Sequence, residues 1–262
     1  RLAADHLRDT TTFSSSWGAQ VWIGYYQPPV STIATTTTTT TSATTESSPK
    51  EEEEKIFIAI APVGSGSGLV FQELFAAGCQ CLVRYGSDDV KNPHPNEYQT
   101  IKLVDITDNL YGFCQASGVP REEWGQPVYA SPLLVQTFEQ EAQQRQLPVE
   151  KRLCHHLENY HSLRDPSTYP HRSTVLQQQL HHLSATTPSN RKESFDMESA
   201  VLFRVAHDAR KHAMSVLQTV NKEDPATCDP YQGPHLQQAL AHEKELFVDY
   251  IFRALLRVPL PK

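Results

Sequence analysis

The stretch FDMESAVLF at residues 195–203 decides the fold interpretation, because it sets two carboxylates and a thioether at the start of an apolar run. Periodicity predicts that this run is a helix, followed by a polar turn and a buried strand within HAMSVLQTVNK at 212–222. Acidic residues are favoured at helix N-termini by the macrodipole and the unpaired amides, so capping would explain Asp196 and Glu198. Capping does not account for Met197 between them, so the segment is also a candidate binding site.

A second informative stretch lies far upstream in the sequence. An apolar run at 55–61 is followed by the loop VGSGSG at 63–68, a helical pattern at 69–77 and CLVRYGS at 81–87. We interpret this order as a βαβ unit whose second strand carries Arg84 to its carboxyl end, where open α/β sheets bind ligands.

The glycine loop is not specific by itself. It lacks the third glycine of a dinucleotide site, because Leu69 stands there, and it lacks the lysine of a triphosphate loop. Ser65 stands where a nucleophile elbow requires glycine. Without other support the loop is a flexible turn between strand and helix.

Taken together, the two stretches resemble the nucleoside phosphorylases of the uridine phosphorylase type. That family has an E-M-E-S-A-like helix start, a following strand that ends V-N-R, and an R-x-G-[ST] motif. The resemblance implies that Glu198 binds the ribose hydroxyls, that Met197 packs beside sugar and base, and that Arg84 and Ser87 hold phosphate. The first family acid corresponds to Asp196, and the terminal arginine to Lys222.

Further site residues follow from the same resemblance. Small residues such as Gly66 would let a sugar approach the backbone. In the family, the segment after the middle strand supplies an aromatic that stacks on the base and polar side chains that read its edge. Here Tyr160, His161 and Arg164 are the available substitutes, with a structural role as the alternative for each. Asn221 is not the acid that purine enzymes of the family place nearby, which favours uridine as the substrate.

The predicted fold is α/β, a single domain over 1–262 with a mixed central β-sheet flanked by helices. A helix is expected over 131–146, a strand over 149–154 and an amphipathic helix over 235–256. Segments 20–26 and 56–61 could pair as a hairpin around a disordered insertion at 31–54, which contains a threonine run and an acidic run.

The implied reaction is phosphorolysis of a nucleoside to free base and pentose 1-phosphate, which makes the protein a pentosyltransferase. Inorganic phosphate is the co-substrate, and no cofactor is expected. A phosphate-independent nucleosidase and a non-catalytic nucleoside-binding protein are the alternatives. No G-D-P-like phosphate loop precedes Trp17, so the chain either is a fragment or departs from the family there. Family members form dimers assembled into larger rings, so a homo-oligomer is expected.

Composition excludes several other classes. The net charge is −7, and no cluster of basic residues with interleaved aromatics indicates a nucleic-acid partner. Five scattered cysteines suit a reducing compartment, so we expect a cytoplasmic protein, and no apolar stretch is long enough to span a bilayer. The segment CHHLENYH at 154–161 lacks metal-binding spacing, because adjacent His155 and His156 would point to opposite sides of a strand. No metal site is predicted.

Overall fold

A computed structural model of the chain describes residues 7–14, 20–26, 55–59, 61–62, 64–88, 97, 99–107, 120–123, 126–156, 192–219 and 247–259. The chain divides into two compact units, one up to Ile60 and one from Ala61. The first is a three-stranded antiparallel sheet of β1 (Leu7–Ser14), β2 (Gln20–Tyr26) and β3 (Lys55–Ala59). The predicted pairing of β2 with β3 is confirmed. The insertion predicted at 31–54 lies outside the described residues.

The second unit is built on a six-stranded mixed sheet. Its strands are β4 (Cys81–Asp88), β5 (Ile101–Thr107), β6 (Val128–Tyr129), β7 (Val149–His156), β8 (Lys192–Asp196) and β9 (His212–Thr219). The order is β4-β9-β5-β7-β8, with β6 on β5. Strands β4 and β9 run one way, and β5, β7 and β8 run the other. The predicted mixed central sheet is confirmed.

One topological prediction is wrong. The strand, glycine loop, helix and second strand all form as expected, but they do not make a βαβ unit. The parallel partner of β4 is β9, and β3 pairs antiparallel with β2. The sequence placed the elements correctly, whereas strand partners depend on contacts with the distant segment at 212–219.

Strands β4 and β8 stand at opposite ends of the strand order, and yet they meet. The Phe195 amide of β8 donates to Asp88 Oδ1 of β4 at 3.0 Å, and Ser194 Oγ donates to Asp88 Oδ2 at 2.9 Å. The sheet therefore curls until its two outer strands touch. This curvature brings the Arg84 strand beside the segment that follows β8.

Four helices accompany the sheet in the described ranges: α1 (Ser67–Ala76), α2 (Pro132–Gln144), α3 (Ser199–Ala209) and α4 (residues 247–255). Pro132 suits the first turn of α2, because its fixed φ matches a helix and its missing amide is not needed there. The predicted helix at 131–146 and strand at 149–154 are confirmed, and of the helix predicted over 235–256 the residues 247–255 are described and helical. None of these helices is long and apolar enough to cross a membrane.

The first three helices end in the same way. In each, the two amides after the last turn bond back to carbonyls three and five residues earlier, which is the Schellman arrangement. The residue that must take positive φ is Gly78 after α1, Gln146 after α2 and Arg210 after α3. These stops give short connections, so α3 leads directly into β9.

The apolar core lies between the sheet and its helices. Its fully buried members include Phe138, Phe203, Met214, Leu217 and Phe247. Burying side chains of this size contributes about 1.5–3 kcal/mol each. Helices α1 and α3 approach closely at Gly68, where a Cβ would lie 2.9 Å from Val201 Cγ1.

A charged cluster also lies at the sheet, where Lys102 and Arg152 are buried and Glu97 and Lys192 are more exposed. Glu97 Oε2 lies 2.8 Å from Lys102 Nζ and 2.7 Å from Arg152 Nη2, and Glu97 Oε1 lies 3.5 Å from Lys192 Nζ. Burial would raise the pKa of Glu97, but the hydrogen bonds and charges of Lys102 and Arg152 outweigh it and lower the pKa from 4.5 to about 2.

This lowered pKa predicts a pH dependence of stability. The carboxylate of Glu97 stabilises the folded state fully above its unfolded pKa near 4.5, and that contribution is lost as pH falls towards about 2. We expect Glu97→Gln to unfold more easily than the wild type at pH 7, with the difference shrinking between about pH 4.5 and pH 2. Urea unfolding of both proteins across this range measures it, and a constant difference would contradict the assignment.

Candidate active site

Arg84 is the centre of a buried charged group at the junction of β4 and β8. Its Nη1 donates to Asp196 Oδ2 at 2.9 Å, and its Nη2 donates to Glu198 Oε2. Arg84 lies more than a hundred residues before the two carboxylates in the chain. The two motifs that carried the family resemblance therefore meet in the fold, at Arg84.

Asp196 is the last residue of β8 and also binds the start of α3. Its carboxylate accepts from the amides of Glu198 and Ser199 and from the Ser199 hydroxyl. An acceptor at this place satisfies amides that the helix leaves unpaired, and its charge suits the helix dipole. Asp196 thus performs the capping role that the sequence allowed, and it also pairs with Arg84.

Glu198 has a different environment, although it stands only two residues away. Its Oε1 accepts from the backbone amide of Gly64 at 2.7 Å, and its Oε2 accepts from Arg84. Gly64 has a φ of +75°, a conformation that favours glycine. The Ser67 hydroxyl donates to the Gly64 carbonyl at 2.7 Å, which fixes the loop that presents this amide. The glycine loop therefore orients Glu198, a role that the sequence did not predict.

Gly86 leaves room for the side chain of Arg84, which stands two positions earlier on β4. Alternate residues of a strand share a face, so Arg84 and Gly86 point to the same side of β4. A Cβ on Gly86 would overlap the guanidinium carbon Cζ and both Nη atoms of Arg84. The arginine head therefore lies across the bare backbone of Gly86, and this position directs it towards α3.

The structure places the other predicted site residues less centrally. Met197 is half-buried between Asp196 and Glu198. Ser87 is exposed and, by strand alternation, lies on the opposite face of β4 from Arg84, so the structure does not bring these two side chains together. Gly66 is exposed in the turn Gly64–Gly66 before α1. The roles assigned to these residues stay predictions.

The predicted base-reading residues Tyr160, His161, Arg164 and Lys222 lie outside the described residues. Strand β7, which precedes the first three, continues to His156, and His155 and His156 are both buried. The His155 ring lies 5.4 Å from the Phe195 ring, centroid to centroid. In the part of the chain that the structure describes, no group of three His, Cys, Asp or Glu side chains is placed to hold a metal ion.

Sequence reasoning missed two residues that shape this site, Gly64 and Gly86. Each had a readable signal. Gly86 sits two positions from an arginine on a predicted strand, where a missing side chain leaves room for the arginine head. Gly64 opens a loop that leads into a helix, where a backbone amide can bind a carboxylate.

Comparison with solved structures identifies the fold. The chain is similar to uridine phosphorylase from Vibrio fischeri, with a TM-score of 0.65 and 14% identity over 98% of this chain and 86% of that one. It is also similar to 5′-methylthioadenosine/S-adenosylhomocysteine nucleosidase from Campylobacter jejuni, with a TM-score of 0.64 and 10% identity over 97% and 92% of the two chains. For S-adenosylhomocysteine nucleosidase from Streptococcus pyogenes the values are 0.59 and 13% over 96% and 90%.

No protein-family model and no curated protein sequence matches the chain. The structural likeness nevertheless spans nearly the whole chain in each of these comparisons. The chain therefore has the fold of the nucleoside phosphorylases and nucleosidases, and the fold expected from the sequence is confirmed.

Proposed function

We propose that the protein cleaves the N-glycosidic bond of a nucleoside and transfers the pentose to inorganic phosphate. The observation that carries this proposal is the junction of Arg84 with Asp196 and Glu198, which joins the expected phosphate side and ribose side of the site. The fold supports it, because the similar solved structures include a uridine phosphorylase and nucleosidases.

The chemistry needs an anchored sugar and a stabilised positive charge. Cleavage of an N-glycosidic bond passes through a transition state with oxocarbenium character. Glu198 supplies a carboxylate that can accept hydrogen bonds from ribose hydroxyls, and its negative charge favours positive charge on the sugar. The bonds from Gly64 and Arg84 hold this carboxylate in place before the substrate arrives, so little reorganisation is required.

Arg84 can serve phosphate while it holds the carboxylates. A guanidinium has five N–H donors in a fixed fork, and the bonds to Asp196 and Glu198 use one on Nη1 and one on Nη2. The remaining donors suit the oxygens of a phosphate, which attacks the anomeric carbon as the bond to the base breaks. Uridine is the proposed substrate, with Met197 as the apolar wall beside the sugar. The proposal includes Ser87 as a further phosphate ligand. At the base it places Tyr160, His161, Arg164 and Lys222.

A nucleosidase is the second candidate, because the charge balance at the junction also suits water as the acceptor. Two carboxylates face one guanidinium at the junction, so these three groups together carry a negative charge. Such a site repels a phosphate dianion but does not repel a neutral water molecule. In that case water would attack the anomeric carbon, and the products would be free base and free pentose.

Phosphate dependence separates the two reactions. Base release from uridine and inosine should be followed with and without inorganic phosphate, at constant ionic strength. The proposal predicts uracil release that rises with phosphate concentration and saturates. Release at the same rate without phosphate would move the assignment to a nucleosidase, and absence of release from both nucleosides would refute both reactions.

Gly86→Ala tests the orientation of Arg84. The new methyl group overlaps the guanidinium, which is the flexible end of a side chain and must move from its present position. We expect kcat/KM for uridine to fall by about 10²-fold, as for a misplaced catalytic group, and the unfolding free energy to fall by less than the about 3 kcal/mol that complete loss of the Arg84 ion pairs would cost.

Gly68→Ala is the matched control for this substitution. Its methyl group would meet Val201 Cγ1 between α1 and α3, away from Arg84. This variant should lower the unfolding midpoint while it retains kcat/KM. Equal activity losses in the two variants would show that Gly86 acts only through stability.

A further inference from the structure

Asp88 and Lys102 form a charged pair that is fully buried within the curled sheet. Lys102 Nζ lies 2.5 Å from Asp88 Oδ2, and both side chains have no exposed surface. Lys102 also donates to Thr219 Oγ1 and lies 2.8 Å from Glu97 Oε2. These three partners match the three donors of an ammonium group, so the buried charge is fully satisfied.

Asp88 connects the two strands that carry the candidate site. It ends β4, four residues after Arg84 and on the same face of the strand. Its carboxylate accepts from Ser194 Oγ and from the Phe195 amide, two residues and one residue before Asp196. The Asp88 carboxylate and Arg84 therefore together fix the distance between β4, on the predicted phosphate side of the site, and the end of β8, on the predicted ribose side.

Lys102 extends the connection to a third strand. Thr219 is the last residue of β9, and the segment VNK at 220–222 that resembles the base-recognition motif follows it directly. The ends of β4, β8 and β9 thus meet at Asp88 and Lys102. These three strands carry or precede the residues predicted to bind phosphate, ribose and base. Another buried carboxylate offers a comparison, because Glu141 of α2 pairs with Arg257 at 2.8 Å.

We propose that the Asp88–Lys102 pair positions the active site by holding these three strand ends in register. The inference rests on the proposed function, since it assigns the pair a role in nucleoside cleavage. Asp88 and Lys102 act through Arg84, Asp196 and Glu198 and are positioning residues. The pair matters most in the transition state, where the acceptor and the sugar must be aligned closely.

Two substitutions at Asp88 test the proposal, with Glu141→Gln as the control. Asp88→Ala removes the bonds from Asp88 to Ser194 and Phe195, whereas Arg84 keeps its bond to Asp196 and Lys102 keeps Glu97 and Thr219. Asp88→Asn keeps an oxygen that can accept from the Phe195 amide. Glu141→Gln weakens the ion pair between the buried Glu141 of α2 and the half-exposed Arg257, which follows α4. All proteins are assayed with uridine and phosphate well below their unfolding midpoints.

We expect kcat to fall by about 10²-fold in Asp88→Ala and by about tenfold in Asp88→Asn, while KM for uridine changes less than about threefold. Glu141→Gln should keep the kcat of the wild type, even where its unfolding midpoint falls as much as that of Asp88→Ala. The positioning role is refuted if Asp88→Ala retains wild-type kcat or if Glu141→Gln loses as much.

Hydrogen–deuterium exchange on the ligand-free proteins keeps the test independent of the proposed function. Asp88→Ala should accelerate exchange selectively in peptides that cover 84–88 and 192–199, and Glu141→Gln should not. A wild type without activity on nucleosides would refute the proposed function and leave exchange to decide the inference. Unchanged or uniformly faster exchange in Asp88→Ala would overturn it.

Discussion

Glu198→Gln is expected to lower kcat/KM for uridine by about 10²–10³-fold, the effect of removing one electrostatic contact to a transition state. The glutamine oxygen can still accept from the Gly64 amide, but its amide nitrogen then faces the Arg84 donor, so that bond is lost together with the charge. The negative charge beside the sugar is lost, and with it the stabilisation of the oxocarbenium-like transition state. Initial rates of uracil release over a range of uridine concentrations measure the effect.

The control for this variant is Glu139→Gln. Glu139 forms a partly exposed ion pair with Lys151 at 3.0 Å, outside the candidate site. Exposed pairs of this kind contribute about 0–1 kcal/mol, so neither stability nor activity should change measurably. Wild-type kcat/KM in Glu198→Gln would show that this carboxylate does not serve the reaction.

Arg84→Met should reduce both stability and activity. The substitution leaves the carboxylates of Asp196 and Glu198 close together and largely buried, without the cation that bridges them. Removing one partner of a buried ion pair typically costs about 3–5 kcal/mol, and the slight exposure of the Arg84 side chain favours the lower end, about 3 kcal/mol. We also expect saturation by phosphate to disappear, because the proposed phosphate ligand is gone.

Arg84→Lys separates the charge of the side chain from its shape. A lysine keeps a cation near the carboxylates but cannot donate through a planar fork to two carboxylates and a phosphate at once. We expect it to recover most of the stability that Arg84→Met loses and little of the activity. Urea unfolding and phosphate-dependent uracil release, measured on both variants, give the comparison. Full activity in Arg84→Lys would contradict the proposed role of the guanidinium.

The sequence predicted those features that depend on local pattern. The apolar run after Glu198, the strand that carries Arg84 and the turn between α3 and β9 all have short-range signals, and each element lies where it was expected. The motif around Asp196 and the motif around Arg84 were each recognised from neighbouring residues. Their likeness to one family also indicated that they belong to the same site.

The features that were missed depend on contacts between distant segments. The βαβ interpretation failed because the parallel partner of β4 is β9, which lies more than a hundred residues later in the chain. The bridging of two carboxylates by Arg84 follows from the curl of the sheet, and no local pattern encodes that curl. The pairing of Lys102 could not be predicted either, because a lysine in an apolar strand gives no indication of the buried Asp88 that it contacts.

The most direct test of the account is ³¹P NMR of the wild-type protein with uridine and inorganic phosphate. Phosphorolysis of uridine predicts a new resonance of a pentose 1-phosphate that grows in step with uracil release and is absent when phosphate or uridine is omitted. Uracil release without this resonance would show that water is the acceptor. No uracil release from a folded sample would contradict the assignment of nucleoside cleavage to the site at Arg84, Asp196 and Glu198.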